Sequence, residues 1–303
     1  LRGCCGAAAR LGFPAVRIGV ILPCNEIGGD NGAVRAVAQA TEDLGFAHLE
    51  VFDHVVGVPD DYAGRLWREP FVMFGYLAAL TQRIELATGI IILPQRQTAL
   101  AAKQAAEVDL WSGGRLRLGL GVGWNEFEFE ALAQDFHRRG KRMDEQIAAL
   151  RTLWGAPVVD VRVGDEVISG GGMDPRPTRE IPIWIGGRSP AALRRAVTLG
   201  QGWLSNFQDH LANDREAFLA ARAELEAAAG GTLPAGFGIE VWTSPQRTSP
   251  DAWAAEAAEW AELGVTHLSL RTDEWRRDMP KVTQPVEAHI ELLRRYAEAV
   301  DLG

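Results

Sequence analysis

Apolar and polar positions along the chain switch repeatedly between two patterns. Arg17–Leu22 (RIGVIL) is a short apolar run halted by Pro23, as in a buried strand. Asn31–Leu44 then places Val34, Val37, Ala38, Thr41 and Leu44 on one face at helical spacing, and Gly45 supplies a left-handed stop. His48–Phe52 (HLEVF) is the next strand. The same alternation predicts strands at Ile84–Leu93, Leu116–Gly121, Ile181–Ile185, Trp203–Ser205, Gly236–Trp242 and His267–Arg271. Between them it predicts helices at Glu69–Leu80, Thr98–Trp111, Gln134–Trp154, Ser189–Leu199, Asn213–Ala229 and Pro250–Leu263, with Gln284–Val300 last. The junction Leu44-Gly45-Phe46-Ala47-His48-Leu49 recurs as Leu263-Gly264-Val265-Thr266-His267-Leu268, and more loosely as Leu199-Gly200-Gln201-Gly202-Trp203-Leu204.

Strands alternating with helices imply a parallel sheet. Eight such units over this length imply an α/β fold of the (β/α)8 TIM-barrel type. A doubly wound open sheet is the alternative, and the evenness of the units favours closure. Two stretches break the rhythm: a polar loop at His54–Trp67, and Pro157–Arg179, which reads as a hairpin turning at Gly164-Asp165. In a barrel these are rim insertions. Leu1–Val16 has no continuous apolar centre and reads as a disordered leader, leaving residues 17–303 as one barrel domain.

Composition narrows the partners. With 31 Lys and Arg against 40 Asp and Glu, the net charge is −9, which lacks the footprint of a nucleic-acid or anionic-membrane binder. The longest uncharged stretches, such as Pro70–Gln82, fall well short of the roughly 20 apolar residues of a membrane span. Cys4, Cys5 and Cys24 can build neither a disulfide framework nor a zinc site, so a cytoplasmic location is expected. No His-x-His, H-E-x-x-H or Cys cluster is present, so no metal is expected.

Barrel chemistry gathers at the C-terminal strand ends. Asp53-His54 is the one strand-end pair that sets an imidazole beside a carboxylate, suited to proton transfer near neutral pH. A hydrogen-bonded loop histidine is the plainer reading. Gly186-Gly187-Arg188-Ser189-Pro190 reads as an anion cradle at a helix start, or simply as a capped helix. Gly119-Leu120-Gly121-Val122-Gly123 lacks dinucleotide spacing and suits close approach to a flat ligand. Glu126 is either an acid/base group or an acidic residue in a helix's first turn. Tryptophans 124, 203, 242 and 275 lie near strand ends, as packing or as walls for an aromatic cofactor.

In order, the motifs IGVILP (18–23), Asp53-His54, ATGIIILP (87–94), GGRLRLGLGVGWNEFEFEALAQDFHRRGKRMDE (113–145), PRPTREIPIWIGGRSPAALRRA (175–196) and GQGWL (200–204) resemble the luciferase-like monooxygenase superfamily, in its branch of oxidoreductases dependent on the deazaflavin coenzyme F420. The resemblance runs from about Arg17 to the end. It implies a cofactor across the C-terminal mouth and a bulged third strand with a non-prolyl cis bond, here Gly89–Ile90. It implies Asp53 and His54 at the reaction centre, with Glu126 as a second acid. Gly123 and Asn125 would line the cofactor, and Gly186, Gly187, Arg188 and Ser189 would meet its phosphate-bearing tail. The implied reaction passes a hydride between reduced F420 and a small organic substrate. FMN with O2 is the alternative within the family, and a catalytically silent binding protein the alternative outside it. Sugar-phosphate dehydrogenases of this family carry a Trp where this chain has Val58, which argues against that substrate. Such proteins are commonly dimers, so a homodimer is expected.

Overall fold

The computed structural model describes residues 16–28, 30–57, 67–205, 215–273 and 284–302. Most of the leader, Val58 and the middle of the first rim insertion lie outside the described residues, as does Trp275. The barrel strands are β1 (Arg17–Ile21), β2 (His48–Val51), β3 (Glu85–Thr88) with β4 (Ile91–Ile92), β5 (Leu116–Gly121), β8 (Ile183–Gly186), β9 (Gly202–Leu204), β10 (Gly238–Thr243) and β11 (His267–Leu270). All their pairings are parallel, β1 joins β11 to β2, and the β3–β5 pairing closes the ring. With β3 and β4 as one interrupted strand, this is a closed eight-stranded parallel barrel with helices between the strands, the TIM-barrel fold.

The repeated Leu-Gly junction has a backbone cause. Gly45 and Gly264 sit at φ of 83° and 79°, the left-handed turn that ends a helix with little steric cost only at glycine. Gly200, in the looser copy, has φ −111° and ends its helix in extended backbone.

The third strand departs from its unbroken apolar pattern. Ala87 pairs with Arg117, but Ile91 pairs with Leu120. Four steps on one side face three on the other, so one extra residue is inserted, which defines a bulge. The bond Gly89–Ile90 within it is cis. The helix expected over Gln134–Trp154 opens with a 3-10 turn at Phe136–Arg138 and becomes α-helical at Arg139–Gly155, and a separate short helix, Glu126–Ala131, precedes it. Strands β6 (Val159–Val163) and β7 (Glu166–Gly171) form the expected antiparallel hairpin. Glu166 pins it beside the loop after β4, accepting from the Thr98 N–H at 2.9 Å and from Arg142 at 2.5 Å, while Arg142 also donates to the Pro94 and Arg96 carbonyls.

The barrel interior holds ionisable groups. Burial lowers the pKa of His48 to about 4 and that of His267 to about 2, so both are neutral at pH 7. Unfolded, each titrates near about 6.5. The unfolded chain therefore takes up protons first on acidification. Stability from these rings is complete above about pH 7 and declines as pH falls toward 4, each ring contributing about 1.4 kcal/mol per pH unit. Buried Glu50 has its pKa raised, and it opposes this, because the folded chain holds there a proton that the unfolded chain has released. We expect a net loss on acidification, read as a falling urea midpoint between pH 7 and pH 5. A flat profile would place the rings in contact with solvent.

Candidate functional site

The C-terminal mouth is organised by the end of β2. Side chains alternate along a strand, so His48, Glu50, Phe52 and His54 share the inward side. Phe52 meets Trp242 at 5.1 Å and Trp67 at 6.2 Å between ring centroids. The His54 ring lies 4.8 Å from Trp67 and 6.4 Å from the half-exposed Trp124. Aromatic faces thus surround an imidazole that is 15% exposed.

Asp53 and His54 are neighbours in sequence but serve different partners. Asp53 accepts from the Ile92 N–H at 2.9 Å and from Arg96 at 2.7 and 3.2 Å. It ties the end of β2 to the loop after β4. Burial works against the Arg96 charge, yet Asp53 and Glu69 more than offset it and hold the guanidinium pKa above its usual value. His54 Nδ1 instead faces the carboxylate of Glu128, at 3.3 and 3.4 Å. Glu128 is fully buried and also accepts from the Val55 N–H at 3.0 Å. A carboxylate only accepts, so Nδ1 carries a hydrogen toward Glu128. The structure pairs Glu126 with His137 at 3.9 Å, and its side chain is 56% exposed.

The bulge is framed by glycines. A Cβ on Gly121 would lie 2.6 Å from the Ile90 side chain, and one on Gly186 would lie 2.7 Å from it. Ile90 therefore occupies space that glycine alone leaves between β5 and β8. Gly123, at φ 73°, lets the backbone turn over Ile92. Two buried amides near these strand ends have unpartnered atoms: Asn125 at Nδ2, and Gln95 at both Nε2 and Oε1. They suit the hydrogen-bonding edge of a flat heteroaromatic ring. The cradle after β8 is partly spent on the protein itself. Gly187 N–H donates to the Leu204 carbonyl, and Ser189 caps the helix Pro190–Leu199 by accepting from the Ala192 N–H. Arg188 is exposed.

A sequence profile described as luciferase-like monooxygenase matches residues 19–299. The chain belongs to the luciferase-like monooxygenase family. An uncharacterized protein of Mycobacterium tuberculosis (strain ATCC 25618 / H37Rv) is 30% identical over 282 residues, spanning 87% of this chain and 93% of the relative. The monooxygenase RslO1 of Streptomyces bottropensis superimposes with a TM-score of 0.72 at 20% identity, over 94% of this chain and 98% of that one. An F420-dependent secondary alcohol dehydrogenase, in complex with an F420–acetone adduct, gives a TM-score of 0.69 at 16% identity, over 95% and 99%. Family enzymes are oxidoreductases and monooxygenases acting on small molecules, and structures of this fold carry F420 or FMN.

Glu128, Gln95 and Arg96 are the site groups that sequence reading passed over. Glu128 had a signal in the run Glu126-Phe127-Glu128-Phe129-Glu130, where the middle acid sits between two aromatics.

Proposed function

We propose that this chain is an F420-dependent oxidoreductase whose mouth binds the deazaflavin against the Gly89–Ile90 bulge. The observation that carries this reading is His54, set in an aromatic wall and backed by buried Glu128, next to Asp53, which accepts from the Ile92 N–H of the bulged strand. Asn125 and Gln95 would hold the ring's polar edge. Gly186, Gly187 and Arg188 would lie along its acidic tail, with Ser189 fixing the helix start behind them. Bound F420 would supply or accept the hydride. His54 would hold or release the accompanying proton at Nε2, with Glu128 orienting the ring and Asp53 anchoring the strand end beneath it. Glu126 is left to the rim.

FMN with O2 is the reading to test against it. Titrating the protein with F420 and with FMN, and following fluorescence quenching, separates the two. Saturable quenching of F420 without a comparable FMN response supports the proposal, and tight FMN binding alone overturns it.

No helix among the described residues is long and apolar enough to cross a membrane. We place the enzyme in the cytoplasm, to be checked by fractionation, and we place a homodimer contact on the helix Pro70–Leu80. That helix has no charged side chain and turns Val72, Gly75, Tyr76 and Ala79 outward. Helices apolar on every side are normally covered. Val72→Glu should shift the mass from dimer to monomer in light scattering. A wild-type monomer would remove the assignment.

A further inference from the structure

Beneath the mouth, the barrel encloses a layer of ionisable side chains that the proposed reaction does not use. Strand β2 supplies His48 and Glu50, β3 Glu85, β5 Arg117, β10 Glu240, and β11 His267 and Ser269. One chain of hydrogen bonds orders most of them. Arg117 donates to Glu240 Oε2 at 2.5 Å and to Glu85 at 2.6 Å. Ser269 donates to Glu240 Oε1 at 2.7 Å, so its oxygen accepts from His48 Nε2 at 2.6 Å. Each Glu240 oxygen thereby accepts one hydrogen bond and keeps a second lone pair.

Glu50 stands outside this chain. It is fully buried, and as an ionised carboxylate it would have no donor for either oxygen. Each of Glu50, Glu240 and His48 has a ligand atom within 4.8 Å of the others'. Charge counting decides its state. Arg117 is the one fully buried cation among the described residues of this layer, and Glu85 and Glu240 already face it. A third carboxylate here would be a buried negative charge without compensation, which a protein avoids by neutralising the group. Burial and the adjacent Glu240 both favour the neutral form.

The position of Glu50 gives this neutral acid a task. A Cβ on Gly89 would fall 1.6 Å from Glu50 Oε1, so the carboxyl lies directly against the bulge. An ionised group there would bring its charge to the backbone that seats the cofactor.

We propose that Glu50 is a neutral carboxylic acid sharing its proton with Glu240, and that it is a positioning residue propping the Gly89–Ile90 bulge from inside the barrel. The second half rests on the cofactor reading given above, and the first half does not.

The test compares wild type, Glu50→Gln and Glu50→Ala as full chains. Infrared spectra at neutral pH, with exchange into D2O, should show a protonated-carboxyl band in wild type that disappears in Glu50→Gln. Glu50→Gln, a neutral near-isostere, should bind F420 and FMN as wild type does. Glu50→Ala should weaken whichever of the two binds by about tenfold or more while keeping its circular dichroism. Absence of the band overturns the neutral acid. So does one equivalent of divalent metal by elemental analysis, lost in Glu50→Gln, because a cation would then compensate an ionised Glu50. Equal weakening by Gln and Ala overturns the propping role. If wild type binds neither cofactor, the cofactor reading and the propping role fall, and the infrared result still decides the protonation.

Discussion

Arg117→Met should destabilise the fold by about 3–5 kcal/mol at pH 7.5, the range for removing one partner of a buried ion pair. The guanidinium lies 4.2 Å over the Trp184 ring and binds two carboxylates, one of them wholly sealed. Burial opposes its charge, but Glu240 and Glu85 overcome that and hold its pKa above the ordinary arginine value. The reverse holds for the acids. Burial favours the neutral form of Glu240 and of Glu85, and Arg117 outweighs it and keeps both ionised. Methionine restores much of the volume but none of the charge, so both acids would have to take up a proton to stay inside. Unfolded glutamates ionise above about pH 4.3, so the penalty is full at neutral pH and shrinks as pH falls toward that value. Urea unfolding at pH 7.5 and pH 5 reads this directly. Adding Glu240→Gln to Arg117→Met should recover part of the loss, because the uncompensated charge goes with it. A penalty that is the same at both pH values would assign the loss to packing over Trp184 instead.

This layer also shows where the sequence stops being readable. Short apolar runs and Leu-Gly stops marked most elements, and Thr98–Trp111 and Leu116–Gly121 match to the residue. Those signals are local, set by a few neighbouring residues. The bulge left no signal in the apolar pattern, because Ile84–Leu93 is largely apolar and an inserted residue changes register without changing hydrophobicity; only the resemblance of ATGIIILP (87–94) pointed to Gly89–Ile90. Glu50, Arg117 and Glu240 sit at strand positions that a half-exposed sheet would turn to water. Closure of the ring turns them inward, and they are tolerable there only because opposite charges arrive from strands far apart in sequence. Balanced charges inside several predicted strands were the available signal. At the mouth, Asp53-His54 was visible as a pair, but sequence adjacency suggested that the carboxylate orients the ring. Successive strand residues point to opposite sides, so the ring instead found a carboxylate 74 residues away.

That pairing sets the second large expectation. His54→Ala should slow single-turnover reoxidation of the reduced cofactor by an electron-poor acceptor by about 10²–10⁴-fold, the usual worth of a positioned acid or base. Glu128→Gln should cost about 10–100-fold, as for a partner that orients a histidine without touching the reacting atoms. The amide can still accept from the Val55 N–H, so the loop should hold while the charge behind the imidazole is removed. Glu126→Gln, on an exposed side chain, should leave the rate within about twofold, since surface changes away from such contacts are nearly silent. Cofactor binding measured alongside separates chemistry from seating: His54→Ala should keep most of its affinity, since the bulge and the buried amides remain. Should Glu126→Gln prove the more damaging of the two glutamate changes, the acid facing the reaction centre is Glu126.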